Sequence, residues 1–197
     1  MLAITKFRPD TLERMVRAVE KVRERLLRST AALEAAGIPY AVIGGNAVAA
    51  WVSQVDEGAV RNTRDVDILI RREDLPAVIL AMETAGFEYA QVSGIDLFID
   101  GPKGKPSEGV HLLFCGEKVK AKDEVPTPEM TESQAGEHFR YVTLEALVRM
   151  KLVSFRLKDR VHLQDILRQG LIDDTWPARF PDVLAERLRE ILADPEG

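Results

Sequence analysis

The carboxylates at positions 65 and 67 pose the chemical question. In Asp65-Val66-Asp67-Ile68-Leu69-Ile70 the side chains alternate with the period of a strand, so both acids stand on one face, with Cα atoms ~7 Å apart. Carboxylates ~5 Å apart repel by ~1 kcal/mol in water and by ~3 kcal/mol at an effective dielectric of about 20. Partial burial therefore favours either a bound divalent cation or a raised pKa. The plainer reading is an outward strand face in water, with Val66, Ile68 and Ile70 turned to the core.

Upstream, the short apolar run Tyr40 to Ile43 breaks at Gly44-Gly45 and passes into a helix-like segment from Asn46 to Val52. A glycine turn at a helix start offers backbone N–H groups to a phosphate, and it is equally an ordinary strand-to-helix turn. The order of the pieces carries more than either alone. A strand, a glycine turn, a helix and an acidic strand would bring an anion cradle beside metal-binding carboxylates, the combination that phosphoryl or nucleotidyl transfer needs.

These motifs resemble the nucleotidyltransferase superfamily, the polymerase-beta-like fold marked by a Gly-Gly or Gly-Ser turn followed by an Asp-x-Asp strand. The longer gap between the motifs, with Arg61-Asn-Thr-Arg-Asp-Val-Asp67, looks most like the branch containing the AbiEii-type toxins of type IV toxin-antitoxin systems. Further on, Lys151-Leu-Val-Ser-Phe-Arg156-Leu-Lys158-Asp159 is similar to that branch's Lys...Arg...(Arg/Lys)-Asp motif. The resemblance covers residues from about 30 to about 170.

What the resemblance implies is an α+β fold, with a nucleotidyltransferase-like mixed β-sheet, helices packed on it and a C-terminal helical segment. It also implies transfer of a nucleoside monophosphate from an NTP to a protein or RNA hydroxyl, with Mg2+ or Mn2+ held by three carboxylates. Carried over by position, Gly44 and Gly45 meet the triphosphate, and Asp65 and Asp67 bind metal and serve catalysis together with Lys151. Lys151 and Lys158 are candidates for phosphate or nucleotide contact, and Asp159 orients one of them. Arg61 and Arg64, flanking the acidic strand, either bind phosphate or neutralise Asp65 and Asp67.

The departure from the family pattern lies at the third carboxylate, which belongs on a later strand in a sequence such as Val-Asp-Leu-Leu. Here the match is Val110-His111-Leu112-Leu113, so His111 stands where an acid is expected. Imidazole suits zinc or manganese, whereas magnesium prefers oxygen. Asp96, Asp100, Glu108 and Glu117 are the nearby acids that could substitute, and His162 follows Lys158-Asp159 where the family often has another Asp. His111 also motivates a second reading, a catalytically degenerate fold acting as a nucleotide-binding or protein-interaction module.

The elements that must position these residues can be read in order. After Pro9, Asp10 is a candidate N-cap. Leu12, Met15, Val16, Val19, Val22, Leu26 and Leu33 then recur at helical spacing until Gly37. A helix is expected over Glu73 to Ala85, strands over Phe87 to Val92 and Ile95 to Ile99 around a Ser93-Gly94 turn, and a strand over Val110 to Phe114. A long polar connection follows from Lys118 to Glu137, then a short strand over Phe139 to Val142. Helices are expected from Thr143, over Val161 to Leu167 and over Val183 to Leu192.

At 197 residues the chain suits one main domain, divided as a core over 1–142 and a C-terminal helical segment over 143–197. Its composition, 46% hydrophobic and 30% charged, is that of an ordinary globular protein, and a net charge of -5 argues against a surface built for non-specific nucleic-acid binding. The single cysteine, Cys115, excludes an intramolecular disulfide and a multi-cysteine zinc site. With no signal-like apolar core in MLAITKFRPD and no membrane-length apolar run, the expectation is a soluble cytoplasmic protein with no membrane partner.

Overall fold

The computed structural model describes residues 9–194. Helix α1, Pro9–Ala35, ends where the periodicity predicts. Gly37 takes φ +65°, Ile38 N–H donates to the Leu33 carbonyl, and Gly37 N–H donates to that of Glu34, the paired bonds of a Schellman stop. Asp10 sits inside the first turn rather than at the cap. Only the second half of the apolar stripe is covered: Leu26 and Leu33 are buried, whereas Leu12, Met15, Val16 and Val19 are 42–66% exposed.

The centre of the fold is one seven-stranded mixed sheet. Its strands are β1 Tyr40–Ile43, β2 Val66–Ile70, β3 Phe87–Val92, β4 Ile95–Asp100, β5 Val110–Phe114, β6 Ser133–Ala135 and β7 Arg140–Val142, in the order β3-β4-β5-β2-β1-β7-β6. The central strands β1, β2 and β5 are rich in Val, Ile and Leu, and β1 is buried throughout. β1 runs antiparallel to β2, with Ile43 opposite Asp67, and β5 runs parallel to β2, with His111 opposite Asp67. Strand pairing thus brings three distant segments to one end of the sheet.

The helices are α2 Gly44–Val52, α3 Leu75–Thr84, α4 Leu144–Ser154, α5 Leu157–Arg168 and α6 Asp182–Ala193. α1 packs against α3 and against β2 and β5, while α2 packs on β1, β2 and β7 and touches α4 and α5. Buried residues of the strands and of α4, α5 and α6 form one continuous hydrophobic cluster, including Ile68, Leu112, Leu147, Leu163 and Leu184.

Three differences from the sequence expectation have a local physical cause. α2 begins at Gly44, not Asn46, because Gly44 turns the chain at φ +68° directly out of β1. α5 begins at Leu157, four residues before the expected Val161, since its polar first turn is held by hydrogen bonds rather than by an apolar stripe. The polar connection contains β6, which pairs with β7 through Ser133↔Val142, Gln134↔Tyr141 and Ala135↔Arg140. Among the described residues no helix is long and apolar enough to cross a membrane.

Candidate functional site

Asp65, Asp67 and His111 meet at the end of the central strands, each offering one ligand atom, with all of these atoms within 4.8 Å of one another. All three side chains are partly buried, at 25%, 22% and 20% exposure. Asp67 and His111 converge because they are register partners on parallel strands. Asp65 is placed differently, since it lies one residue before β2. Its Oδ1 accepts from the Thr63 hydroxyl at 2.7 Å, and its main-chain carbonyl accepts from Asn46 Nδ2 at 2.9 Å.

The histidine is held by its far nitrogen. Nε2 lies 2.8 Å from the Pro106 carbonyl and donates to it, which turns Nδ1 toward the acids, 3.5 Å from Asp67 Oδ1 and 3.9 Å from Asp65 Oδ2. A neutral imidazole so oriented aims a lone pair at two carboxylates, an arrangement that calls for a positive charge among them. A metal-bound histidine uses the same device, one nitrogen on the ion and the other on a backbone carbonyl. The Asp67 contact raises the His111 pKa above the ordinary histidine value, against the lowering effect of burial. For Asp65, burial alone would raise the pKa, but the Thr63 hydroxyl and the charges of Lys158 and His111 bring it below the usual carboxylate value. Two carboxylates and an oriented imidazole therefore fit a divalent cation, and the nitrogen donor suits Mn2+ better than Mg2+.

Immediately above the acids is the start of α2. A Cβ at Gly44 would lie 2.0 Å from Asp67 Oδ2, and one at Gly45 would meet the Thr63 side chain at 3.0 Å. The turn therefore presses the helix terminus against the acidic strand. Among the described residues no side chain caps that terminus: Ile43 stands at the N-cap, so the positive end of the helix could receive an anion.

Cations arrive from the α4–α5 junction. Asp159 is fully buried and accepts from Lys151 Nζ at 3.2 Å, Ser154 Oγ at 2.7 Å, and Arg156 Nε at 2.7 Å. Burial opposes its ionisation, yet Arg156, Lys151 and Ser154 hold its pKa at about 2. Lys151 is itself buried, and desolvation lowers its pKa although Asp159 and Asp67 pull the other way. Arg156 is exposed at 57%, and its pKa is raised chiefly by Asp159 and further by the charges of Asp67 and Asp65. Asp159 thus orients Lys151 and Arg156. Lys158 is exposed and faces Asp65 electrostatically.

Other sequence candidates lie outside the cluster. Arg61 bonds Asp165 through Nε at 2.5 Å and Nη2 at 3.1 Å, so it ties the loop before β2 to α5. The Arg64 side chain is exposed, and its carbonyl accepts from Arg25. The four acids considered in place of His111 are engaged elsewhere: Asp96 with Tyr89, Asp100 with Arg25 and Arg28, Glu108 with Lys105, and Glu117 with Arg72. His162 Nδ1 is buried with no hydrogen-bond partner, and burial, assisted by Lys151, pulls its pKa down to about 4. The residues that sequence reasoning left out of the site are Thr63, Asn46, Ser154 and Arg156. Of these, Arg156 had a sequence signal, as the central arginine of the Lys151 to Asp159 motif.

No protein-family model matches the chain, and no curated protein sequence matches it. Solved structures do. The fold is similar to that of an antigenic nucleotidyltransferase-like protein from Paracoccidioides brasiliensis, at 18% identity, with 91% of each chain covered and a TM-score of 0.60. It is also similar to that of ANT(2")-Ia in complex with adenylyl-2"-tobramycin, at 16% identity, covering 86% of this chain and 96% of that one, with a TM-score of 0.53. At such identities the likeness is one of architecture: the α+β fold is nucleotidyltransferase-like.

Proposed function

We propose that the protein is a metal-dependent nucleotidyltransferase that moves a nucleoside monophosphate from an NTP to a protein or RNA hydroxyl. The observation that carries this reading is the convergence of Asp65, Asp67 and His111 beneath the uncapped, glycine-led terminus of α2. A neighbour of the same fold holds an adenylyl conjugate, adenylyl-2"-tobramycin, which supports nucleotide transfer as the reaction class.

In this reading Asp65, Asp67 and His111 hold the divalent cation, Mg2+ or Mn2+, which when bound supplies charge neutralisation and polarisation at the phosphates. Gly44 and Gly45 let the backbone approach the triphosphate without a side chain between. Arg156 and Lys158, both exposed, receive phosphate oxygens, with Arg64 at the rim. Lys151, buried against Asp159, keeps positive charge near Asp67 and holds Asp159 ionised so that Arg156 stays oriented. The acceptor hydroxyl gives up its proton to solvent as its oxygen bonds to the α-phosphorus, the bond from that phosphorus to the α–β bridging oxygen breaks, and pyrophosphate leaves. The nucleotide-binding core is assigned to 1–142, and the segment 143–197 brings the cations.

The resemblance of Lys151 to Asp159 to the AbiEii-type toxin branch supports a toxin-like role in the cytoplasm as the narrower form of this reading. The convergence of His111 with both acids favours an enzyme over a degenerate binding module, because its Nδ1 is aimed as a ligand. The test is incubation with each of four labelled NTPs and with Mg2+ or Mn2+, following label transfer and pyrophosphate release. Wild-type protein should release pyrophosphate and Asp67→Ala should not. Absence of both label transfer and pyrophosphate release under every combination would refute the proposal.

A further inference from the structure

Asp65 lies beyond both ladders that organise the acidic strand. Pairing of β2 with β1 stops at Ile43↔Asp67, where Gly44 turns away, and pairing with β5 starts at Val66↔Val110. The first main-chain bond on the β5 side is Val66 N–H to the Gly109 carbonyl, one residue after Asp65. Sheet register therefore places Asp67 but not Asp65. Two side chains from outside the sheet take over that task. The carbonyl of Arg64, which precedes Asp65, accepts from Arg25 Nη1 at 3.3 Å, and the carbonyl of Asp65 itself accepts from Asn46 Nδ2 at 2.9 Å.

Arg25 is unusual for an arginine on a long surface helix. It is only 5% exposed and sits on α1, 39 residues from the carbonyl it binds. Its Nε also donates to Asp100 Oδ2 at 3.2 Å, and Arg28, stacked over the Phe87 ring, bonds the other oxygen of the same carboxylate. The guanidinium fork is thereby anchored at one edge and free to grip the Arg64 carbonyl with another, a division of labour that a lysine point charge cannot reproduce.

We propose that Arg25 is a positioning residue for Asp65, acting with Asn46 to clamp the two peptide carbonyls that bracket it. The proposal rests on the reading of Asp65 as an ion ligand, and its consequence is that α1 is part of the site's support. Removing an outer group that orients a ligand weakens metal binding by roughly 10–100-fold in other sites.

The experiment measures backbone 15N relaxation and Mn2+ binding for wild type, Arg25→Gln, Arg25→Lys and Asp100→Asn. Arg25→Gln is expected to lower the Asp65 amide order parameter from the rigid value of about 0.85 toward about 0.6, while Asp67 stays rigid. The same variant should bind Mn2+ roughly tenfold more weakly. Arg25→Lys should not restore either property, and Asp100→Asn, which weakens the anchor of the guanidinium, should loosen Asp65 less than Arg25→Gln does. Unchanged order at Asp65 and unchanged Mn2+ affinity in Arg25→Gln would overturn the proposal, reducing Arg25 to a pin between α1 and β4. Loosening of Asp65 in Asp100→Asn greater than in Arg25→Gln would overturn it as well. The relaxation measurement needs no metal, so it decides the clamp even if wild type takes up no Mn2+, a result that would count against the ion-site reading alone.

Discussion

A Cβ on Gly44 would fall 2.0 Å from Oδ2 of Asp67, far inside van der Waals contact with the acid it faces. Gly44 also holds φ +68°, which by itself costs an L-residue about 1–2 kcal/mol. Gly44→Ala should therefore destabilise the fold by about 2–4 kcal/mol and displace the Asp67 carboxylate. Gly45→Ala meets only the Thr63 side chain, its Cβ at 3.0 Å, and has no positive φ to oppose, so it should be the milder change. Melting temperatures and Mn2+ titrations of the two variants check the order.

Replacing the imidazole with oxygen should change which ion is preferred. His111→Asp restores a third carboxylate opposite Asp67, and hard oxygen donors favour Mg2+. The expected outcome is a higher ratio of Mg2+ to Mn2+ affinity by calorimetry. An unchanged ratio would remove His111 from the ligand set.

Asp159 is the keystone for two cations. Asp159→Ala strands Lys151 in a buried position and should cost about 3–5 kcal/mol in denaturant unfolding. Arg156→Ala leaves Lys151 and Ser154 on the buried Asp159 carboxylate, so it should cost less stability than Asp159→Ala while the proposed nucleotide transfer falls. The Asp159 pKa is depressed to about 2, so its stabilising contribution is complete above the unfolded carboxylate value. It is lost only as pH falls from about 4 through 2.

His162 should make its mark at a higher pH. Its folded pKa of about 4 lies below the ordinary histidine value of 6.5, so between those values the unfolded chain binds the proton and the folded chain does not. Stability is therefore unaffected above pH 6.5 and declines as pH falls toward 4, by on the order of 1–3 kcal/mol. His162→Leu should flatten this slope in pH-dependent unfolding measurements, and an unaltered slope would place the titration elsewhere.

Features written in local patterns were legible before the fold was known. β1, β2 and β5 are short apolar runs, Ser93 and Gly94 form the positive-φ turn between β3 and β4, and Thr143 caps α4 by accepting from Ala146 N–H. What was not legible depends on distant pairing. Choosing His111 over four nearby acids required the parallel register of β5 on β2, a pairing across 44 positions that no local period encodes. Arg61 read as a phosphate binder or a neutraliser of Asp65 and Asp67 because it flanks them in sequence, yet its partner is Asp165, 104 residues away. β6 has only three residues inside a polar stretch, too few for an alternation to register.

In the proposed ion site, the in-register meeting of Asp67 and His111 would also make cation uptake a gauge of assembly fidelity. Val110 and Leu112 flank His111 on β5, and a slip by one residue would set an aliphatic side chain opposite Asp67 and turn the imidazole to the other face of the sheet. A chain misassembled in this way could be compact and rich in strand, yet it would not gather three donors. Mn2+ titration during refolding would thus time the correct docking of β5 separately from collapse.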